Sequence, residues 1–395
     1  MFQRRNSRRH RLVLLGSALA ATATLALAGC AGGGAGGTTA PTSTASSADT
    51  AAFQAKVKAD VEKGSAAQTP ESNPVPTDGP PVVSGKSLVI IPCSMAVEGC
   101  ARPARSTQEA AQLLGWKATI DDPASDGSKI SAAIQRAISS KADAILLTST
   151  DAAPFQADIK AARTAGIAVV CNMCGNTDDL YQAVIPPLDQ NNKAGYLLGE
   201  YAYLEAQARF GAPPKFIILT DDEFDTVKAR VAGLKQFIAD CQAAGAGCEQ
   251  VAEGSFLAAE ISTTAPSRVA QLARANPDYN VLFAGFDAAM LFISQGLQQA
   301  GLADPQKAFG ISVDADVANT EMIRTNGFQA ASIGFAFNRA GYGQVDNLNR
   351  IFNGKDGVDQ GVTGKLITAD NAPATGGWDG DFDANVLYEK SWGVK

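Results

Sequence analysis

Histidine is the sharpest absence: among 395 residues there is one, His10, and it falls in an N-terminal stretch that reads as a leader. Imidazole is the side chain most used as a general base near neutral pH, and a common metal ligand. A mature chain without it excludes Ser-His and Cys-His catalysis and histidine metal sites. No G-x-S-x-G nucleophile elbow is present either. The N-terminal apolar run, Leu12 to Ala28, is diluted by Gly, Ser and Thr, too short and mixed for a permanent membrane span. Basic residues are also scarce. The five arginines before Cys30 (Arg4, Arg5, Arg8, Arg9, Arg11) leave 28 basic against 40 acidic residues, a net charge of −12. Such a surface repels nucleic acid and anionic lipid, so no nucleic-acid partner is expected.

The arginines followed by the apolar run mark an export signal over residues 1–29. Its end, Leu27-Ala28-Gly29-Cys30, resembles the lipobox of bacterial lipoproteins. That resemblance implies lipidation of Cys30 and a membrane-anchored chain on the extracytoplasmic face; a soluble secreted protein is the alternative. Ser7-Arg8-Arg9 leaves twin-arginine export open, although Arg11 stands where that pattern favours an aromatic.

Six cysteines remain, in close pairs: Cys93 with Cys100, Cys171 with Cys174, Cys241 with Cys248. Outside the cytoplasm an even number favours disulfides. Cys171-x-x-Cys174 also has the spacing of a redox dithiol or half a zinc site, but the following "GNTDD" reads as a turn, whereas a reactive dithiol favours a helix N-terminus. A bridge shaping a cleft is the preferred reading. No cofactor and no metal are expected.

Residues 30–84 are dominated by Gly, Ala, Ser, Thr and Pro and read as a lipid-anchored flexible tether, with one possible short helix at residues 51–64 that either docks on the body or remains solvated. From Gly85 on, strand-like runs ("SLVIIP", "KATID", "AILLTS", "IAVVCN") alternate with helical stretches, and a second series follows Pro187. Alternation of this kind predicts an α/β fold in two lobes, each a parallel sheet with helices on both faces, joined by a multi-strand hinge. The expected division is 85–188 with about 338–360 for the first lobe, 189–337 for the second, and 361–395 for a C-terminal crossover and tail. In the tail, Asp379, Asp381, Asp383 and Asn385 alternate as in a calcium loop, but Ala384 replaces the required Gly and Glu389 falls one place short. A solvated acidic tail is expected instead.

Three segments, residues 137–170, "NPDYNVLFAGFDAAMLFISQGLQQAG" and "FGISVDADVANTEMIRTNGFQAASI", resemble type I periplasmic binding proteins of the ribose- and sugar-binding subfamily. The resemblance implies a clamp that captures a small-molecule solute and delivers it to the permease of an ABC importer, working as a monomer and not as an enzyme. It puts Ser94, Met95, Glu98 and Arg102 where the family has an Asn and paired aromatics, and puts Met173 and Cys174 on its sugar-gripping Asp-Arg pair. A family arginine aligns with Lys228, Phe286 replaces the Asn of an Asn-Asp pair, Asp287 is kept, Asp314 matches an acidic position, and Phe335 replaces a Gln. Phe256 keeps a stacking aromatic. The expected ligand-binding set is Asn172, Asp222, Lys228, Phe256, Phe286, Asp287, Asp314 and Phe335, a set leaning toward a solute less polar than a pentose. Each has a plainer reading: Asp287 and Asp314 as helix caps, the phenylalanines as core, Lys228 as a solvated helix residue. A binding protein serving a membrane sensor, and an exported C-x-x-C redox enzyme, are the alternative functions. A DNA-binding regulator of related build is excluded by export and by the lack of a DNA-binding module before residue 85.

Overall fold

A computed structural model describes residues 46–175 and 180–394. The expected leader and the expected lipidation residue, Cys30, lie outside them. In chain order the first elements are α1 (Ser47–Ser65), β1 (Ser87–Pro92), α2 (Glu98–Leu113), β2 (Lys117–Ile120), α3 (Gly127–Ser139), β3 (Ala144–Thr148), α4 (Gln156–Thr164), β4 (Ala168–Asn172) and β5 (Val184–Ile185). There follow α5 (Leu188–Phe210), β6 (Lys215–Thr220), α6 (Asp225–Ala243), β7 (Glu249–Ser255), α7 (Thr264–Ala275), β8 (Val281–Ala284), α8 (Asp287–Gln299), β9 (Phe309–Asp314), α9 (Val317–Arg324), β10 (Gln329–Gly334), α10 (Phe337–Phe352), β11 (Lys365–Thr368) and α11 (Ala384–Trp392).

The strands form two sheets. The first has the order β2-β1-β3-β4-β5 and is wholly parallel. The second has the order β11-β10-β9-β8-β6-β7, parallel except where β11 pairs antiparallel to β10. Parallel strands covered by helices on both faces require near-continuous apolar sequence, and every residue of β3 and β4 is buried. One face of the first sheet (Leu88, Ile90, Leu146, Val170) packs with Tyr342 and Val345 of α10; the other (Ile145, Leu147, Val169) packs with Ile130 and Ile134 of α3 and Ile159 of α4. After β10 the chain leaves the second sheet, lays α10 against α2 of the first lobe, returns as β11, and crosses again so that Tyr388 and Trp392 of α11 pack beside Tyr342. These crossings join the lobes.

The segment read as a tether and the tail read as solvated are both bound to the body. Helix α1 begins with a capping box between Ser46 and Asp49. One helical turn apart, Phe53 and Val57 are buried in the second lobe's core, the Phe53 ring lying 5.6 Å from Tyr203 and 5.8 Å from Phe237. Beyond it Arg339 donates to the carbonyls of Asn73 (3.0 Å) and Pro74 (2.7 Å), Asn349 to Pro80 (3.0 Å), and the Trp116 indole to Val83 (2.7 Å). Composition alone suggested a tether because little here is apolar; instead α1 is held by its two buried apolar residues, and residues 73–83 by side-chain donors from the body reaching their backbone carbonyls. The acidic tail is corrected in the same way. Asp381 pairs with Lys365 (2.7 Å) and accepts from the Trp378 indole (3.0 Å), Asp379 accepts from the backbone of Asn338 (3.0 Å), and Asp383 caps α11. Among the described residues no group of carboxylates and thiols is arranged to hold a metal, and no helix is long and apolar enough to cross a membrane.

Burial sets a pH dependence. Glu200 of α5, taking Lys56 of α1 at 3.0 Å, is pushed up to about 7 by burial, and burial does the same to Asp221 after β6, also to about 7. Both titrate near 4 when unfolded, so between roughly pH 4 and 7 the folded chain holds more protons than the unfolded one, and stability falls as pH rises through that window. Melting is therefore expected at a higher temperature at pH 5 than at pH 8, and Asp221→Asn should flatten the difference. A melting temperature that rises across this range would contradict the assignment.

Candidate functional site between the lobes

In open parallel sheets, ligands sit beyond the carboxyl ends of the strands, and here those ends face each other across a cavity of about 70 Å³. Cys93 after β1, Val97, Gly99 and Cys100 at the start of α2, Ser125, Ser149 and Met173 line it from the first lobe. From the second come Phe224, Thr226, Val227 and Arg230 around the start of α6, with Ala258, Ile261, Phe286 and Asp314; Phe337 comes from the crossover. Larger depressions lie beside Arg339 and residues 379–385 (about 380 Å³) and between α1 and α5 (about 820 Å³). The first has a largely polar lining, and neither lies between the two sets of facing strand ends. The interlobe cavity combines apolar walls with convergent polar groups, the usual make-up of a small-molecule site.

Its polar centre is an ion pair. Arg230 and Asp314 are both buried, with Nη2 3.1 Å from Oδ1. Arg230 also donates to Asn191 Oδ1 of α5 (2.9 Å) and to the Gly285 carbonyl (2.8 Å), which fixes the guanidinium plane. Asp314 ends β9 at φ 123° and Ala315 follows at φ 53°. Non-glycine residues in the left-handed region persist only where surroundings hold them, and they cluster at binding sites. Burial pushes Asp314 above the ordinary carboxylate range against the pull of Arg230 and Arg102. Gly99 faces it so closely that a Cβ there would lie 3.1 Å from the carboxylate.

Ties across the cleft surround this centre. Glu98, in the first turn of α2, accepts from the Val317 backbone N–H at the start of α9 (3.2 Å), and Arg102 pairs with Asp316 (3.3 Å) and donates to the Trp378 carbonyl (2.6 Å). On the opposite rim Asp151, pushed up to about 6 by burial, accepts from the Asp225 N–H (3.0 Å) and lies 3.5 Å from Lys228. All three cysteine pairs are disulfides, with Cα separations of 5.9, 6.0 and 5.8 Å. Cys93–Cys100 lines the cavity, Cys171–Cys174 is buried behind it, and Cys241–Cys248 joins the end of α6 to β7.

Of the eight residues expected from sequence, Phe286 and Asp314 line the cavity. Phe256 stands behind Phe286, ring centroids 5.9 Å apart. Asp287 is fully buried beneath the site: it accepts from Ser332 (3.0 Å), Gln329 (3.0 Å), Ser312 and the Asp316 N–H (2.9 Å), and burial with the nearby charge of Asp314 pushes it up to about 7. It positions the 314–316 turn. Phe335 is core. Asn172 is buried, with neither side-chain polar atom hydrogen-bonded within the described residues. Asp222 is exposed and accepts from Thr220 (2.9 Å). Lys228 is an exposed rim residue, because the buried stripe of α6 runs through Val227, Arg230, Val231, Leu234 and Phe237. The cation that lines the cavity is thus Arg230. Helical periodicity could have found it: an arginine on an apolar stripe needs a buried partner.

Comparison with known proteins is consistent with this arrangement. The family described as "Periplasmic binding protein domain" matches residues 90–356. An ABC sugar transporter subunit from Rhodobacter sphaeroides 2.4.1 has 19% identity and TM-score 0.61, covering 72% of this chain and 99% of its own. A carbohydrate transporter solute binding protein from Agrobacterium radiobacter, in complex with D-arabinose, has 17% identity and TM-score 0.62, covering 73% and 96%. A glucose-galactose binding protein from Geobacillus stearothermophilus has 19% identity and TM-score 0.63, covering 73% and 99%. No curated protein matches the chain.

Proposed function

Because the chain belongs to the family of periplasmic binding protein domains, we propose that it is an extracytoplasmic solute-binding lipoprotein: anchored through Cys30, it captures a small organic solute, a sugar or a relative of one, between its lobes and hands it unaltered to an ABC-transporter permease. The observation that carries this reading is the buried Arg230–Asp314 pair facing an interlobe cavity. A solute touching both lobes stabilises the closed arrangement through interactions that opening would break. Driving such a clamp from mostly open to mostly closed takes about 5.5 kcal/mol of differential binding, within reach of several hydrogen bonds and apolar contact. The family that the chain belongs to is one of binding proteins, and on this reading the site binds without chemistry and the protein acts as a monomer. Delivery to a sensor would use the same site; co-purification with a permease separates the two.

A thermal-shift screen of sugars and polyols tests the reading. At least one compound is expected to raise the melting temperature. Asp314→Ala should abolish that shift while Lys228→Ala, at the exposed rim, retains it. Steady consumption of the bound compound, or a shift indifferent to Asp314→Ala, would overturn the assignment.

A further inference from the structure

Building on that binding-protein reading, we infer that the occupant is a neutral, compact molecule with its hydroxyls gathered along one edge and an otherwise apolar body, such as a deoxysugar or a cyclic diol, and not a fully hydroxylated sugar. Charge balance comes first. Arg230 and Asp314 are the charged residues of the lining, and they neutralise each other at 3.1 Å. A charged ligand would enter this apolar enclosure without a counter-charge, an unfavourable burial.

The donors and acceptors at the pair are few. Of the five guanidinium N–H groups, three already serve Asn191, the Gly285 carbonyl and Asp314. Asp314 keeps one oxygen, Oδ2, that receives no hydrogen bond among the described residues. One ligand hydroxyl can therefore donate to Oδ2 while a neighbour accepts from the remaining guanidinium N–H groups. Beyond this edge the polar side chains of the lining are the hydroxyls of Ser125, Ser149 and Thr226.

The walls are unlike each other and both apolar. Sulfur dominates the first lobe's side, where the Cys93–Cys100 disulfide and Met173 face the cavity. Aromatic rings dominate the other, where Phe224 and Phe286 stand edge to face at 6.2 Å and 80°, with Phe256 fixing Phe286 from behind. Sulfur and aromatic surfaces favour a flat apolar body between them. A hydroxyl pressed against the disulfide and Met173 or against the phenylalanine rings, out of reach of Ser125, Ser149 and Thr226, would lose its water partners and find none, costing on the order of ten-fold in affinity for each.

The test uses the full chain and matched compounds: galactose against 6-deoxygalactose, mannose against 6-deoxymannose, cyclohexane-1,2-diol, and glutamate and glucosamine as charged probes, with affinities from calorimetric titration. The deoxy member of a pair is expected to bind about ten-fold or more tightly than its parent, with the charged probes silent. Phe286→Ala should shrink the ratio toward one. Parents that bind as tightly as their deoxy partners, or a charged probe that binds best, overturn this ligand class and leave the clamp reading standing. Silence from every compound overturns both.

Discussion

Arg230→Ala is expected to remove detectable solute binding and to lower stability by about 3–5 kcal/mol, the range for deleting one partner of a buried ion pair. The alanine would leave Asp314 buried near Glu98, Asp287 and Asp316, with Arg102 as the remaining nearby cation. It would also strip Asn191 Oδ1 and the Gly285 carbonyl of their donor. Chemical unfolding reads the stability and calorimetric titration reads the binding. Arg230→Lys separates the causes: an ammonium restores a charge beside Asp314 but cannot reach all three acceptors as the planar fork does. Stability should recover in part and affinity should not. An Arg230→Ala protein as stable as the parent would mean that the pair is not formed.

Gly195→Ala and Gly233→Ala are the second pair of large expected effects, though neither residue touches the cavity. Helices α5 and α6 approach so closely that a Cβ at Gly195 would overlap the Arg230 carbonyl, and one at Gly233 would overlap the Asn192 carbonyl. Backbone cannot swing aside as a side chain can, so each change forces the helices apart at a cost of about 3 kcal/mol, the upper part of the usual range for overpacking. The same displacement moves Arg230 on α6 away from Asn191 on α5. Each alanine should therefore weaken solute binding as well as lower the melting temperature. A variant that melts early but binds as tightly as the parent would uncouple the helix contact from the site.

The central strands of both sheets were legible because they are apolar runs long enough to stand out: "SLVIIP", "AILLTS" and "KFIILTD" became β1, β3 and β6. Two strands were not read. β5 is a two-residue bridge, and β11 is a short antiparallel strand after a long connection, with no apolar run or period to mark it. Residues 46–84 and the acidic tail escaped for a different reason: what holds them is two apolar side chains of α1 and a set of hydrogen bonds and ion pairs to distant side chains, which composition cannot show. At the site, sequence placed Asp314 and Phe286 because strand ends converge on the cleft. Alignment to a distant family pointed to Lys228, which the structure leaves on the exposed rim, because such an alignment carries no helical phase, whereas the apolar stripe of α6 carries it and turns Arg230 to the cavity. Asp287 shows the limit of the strand-end rule. The same position can cap, brace a turn or meet ligand, and three-dimensional packing decides among them.

Hydrogen exchange followed by peptide mass analysis, with and without the tightest-binding compound at saturation, tests the clamp most directly. The account predicts that the compound slows exchange on both sides of the cleft at once, over residues 97–102 at the start of α2 and over residues 314–320 at the turn into α9, with further slowing over residues 224–231. Protection confined to one lobe, or centred on the groove between α1 and α5, would contradict it.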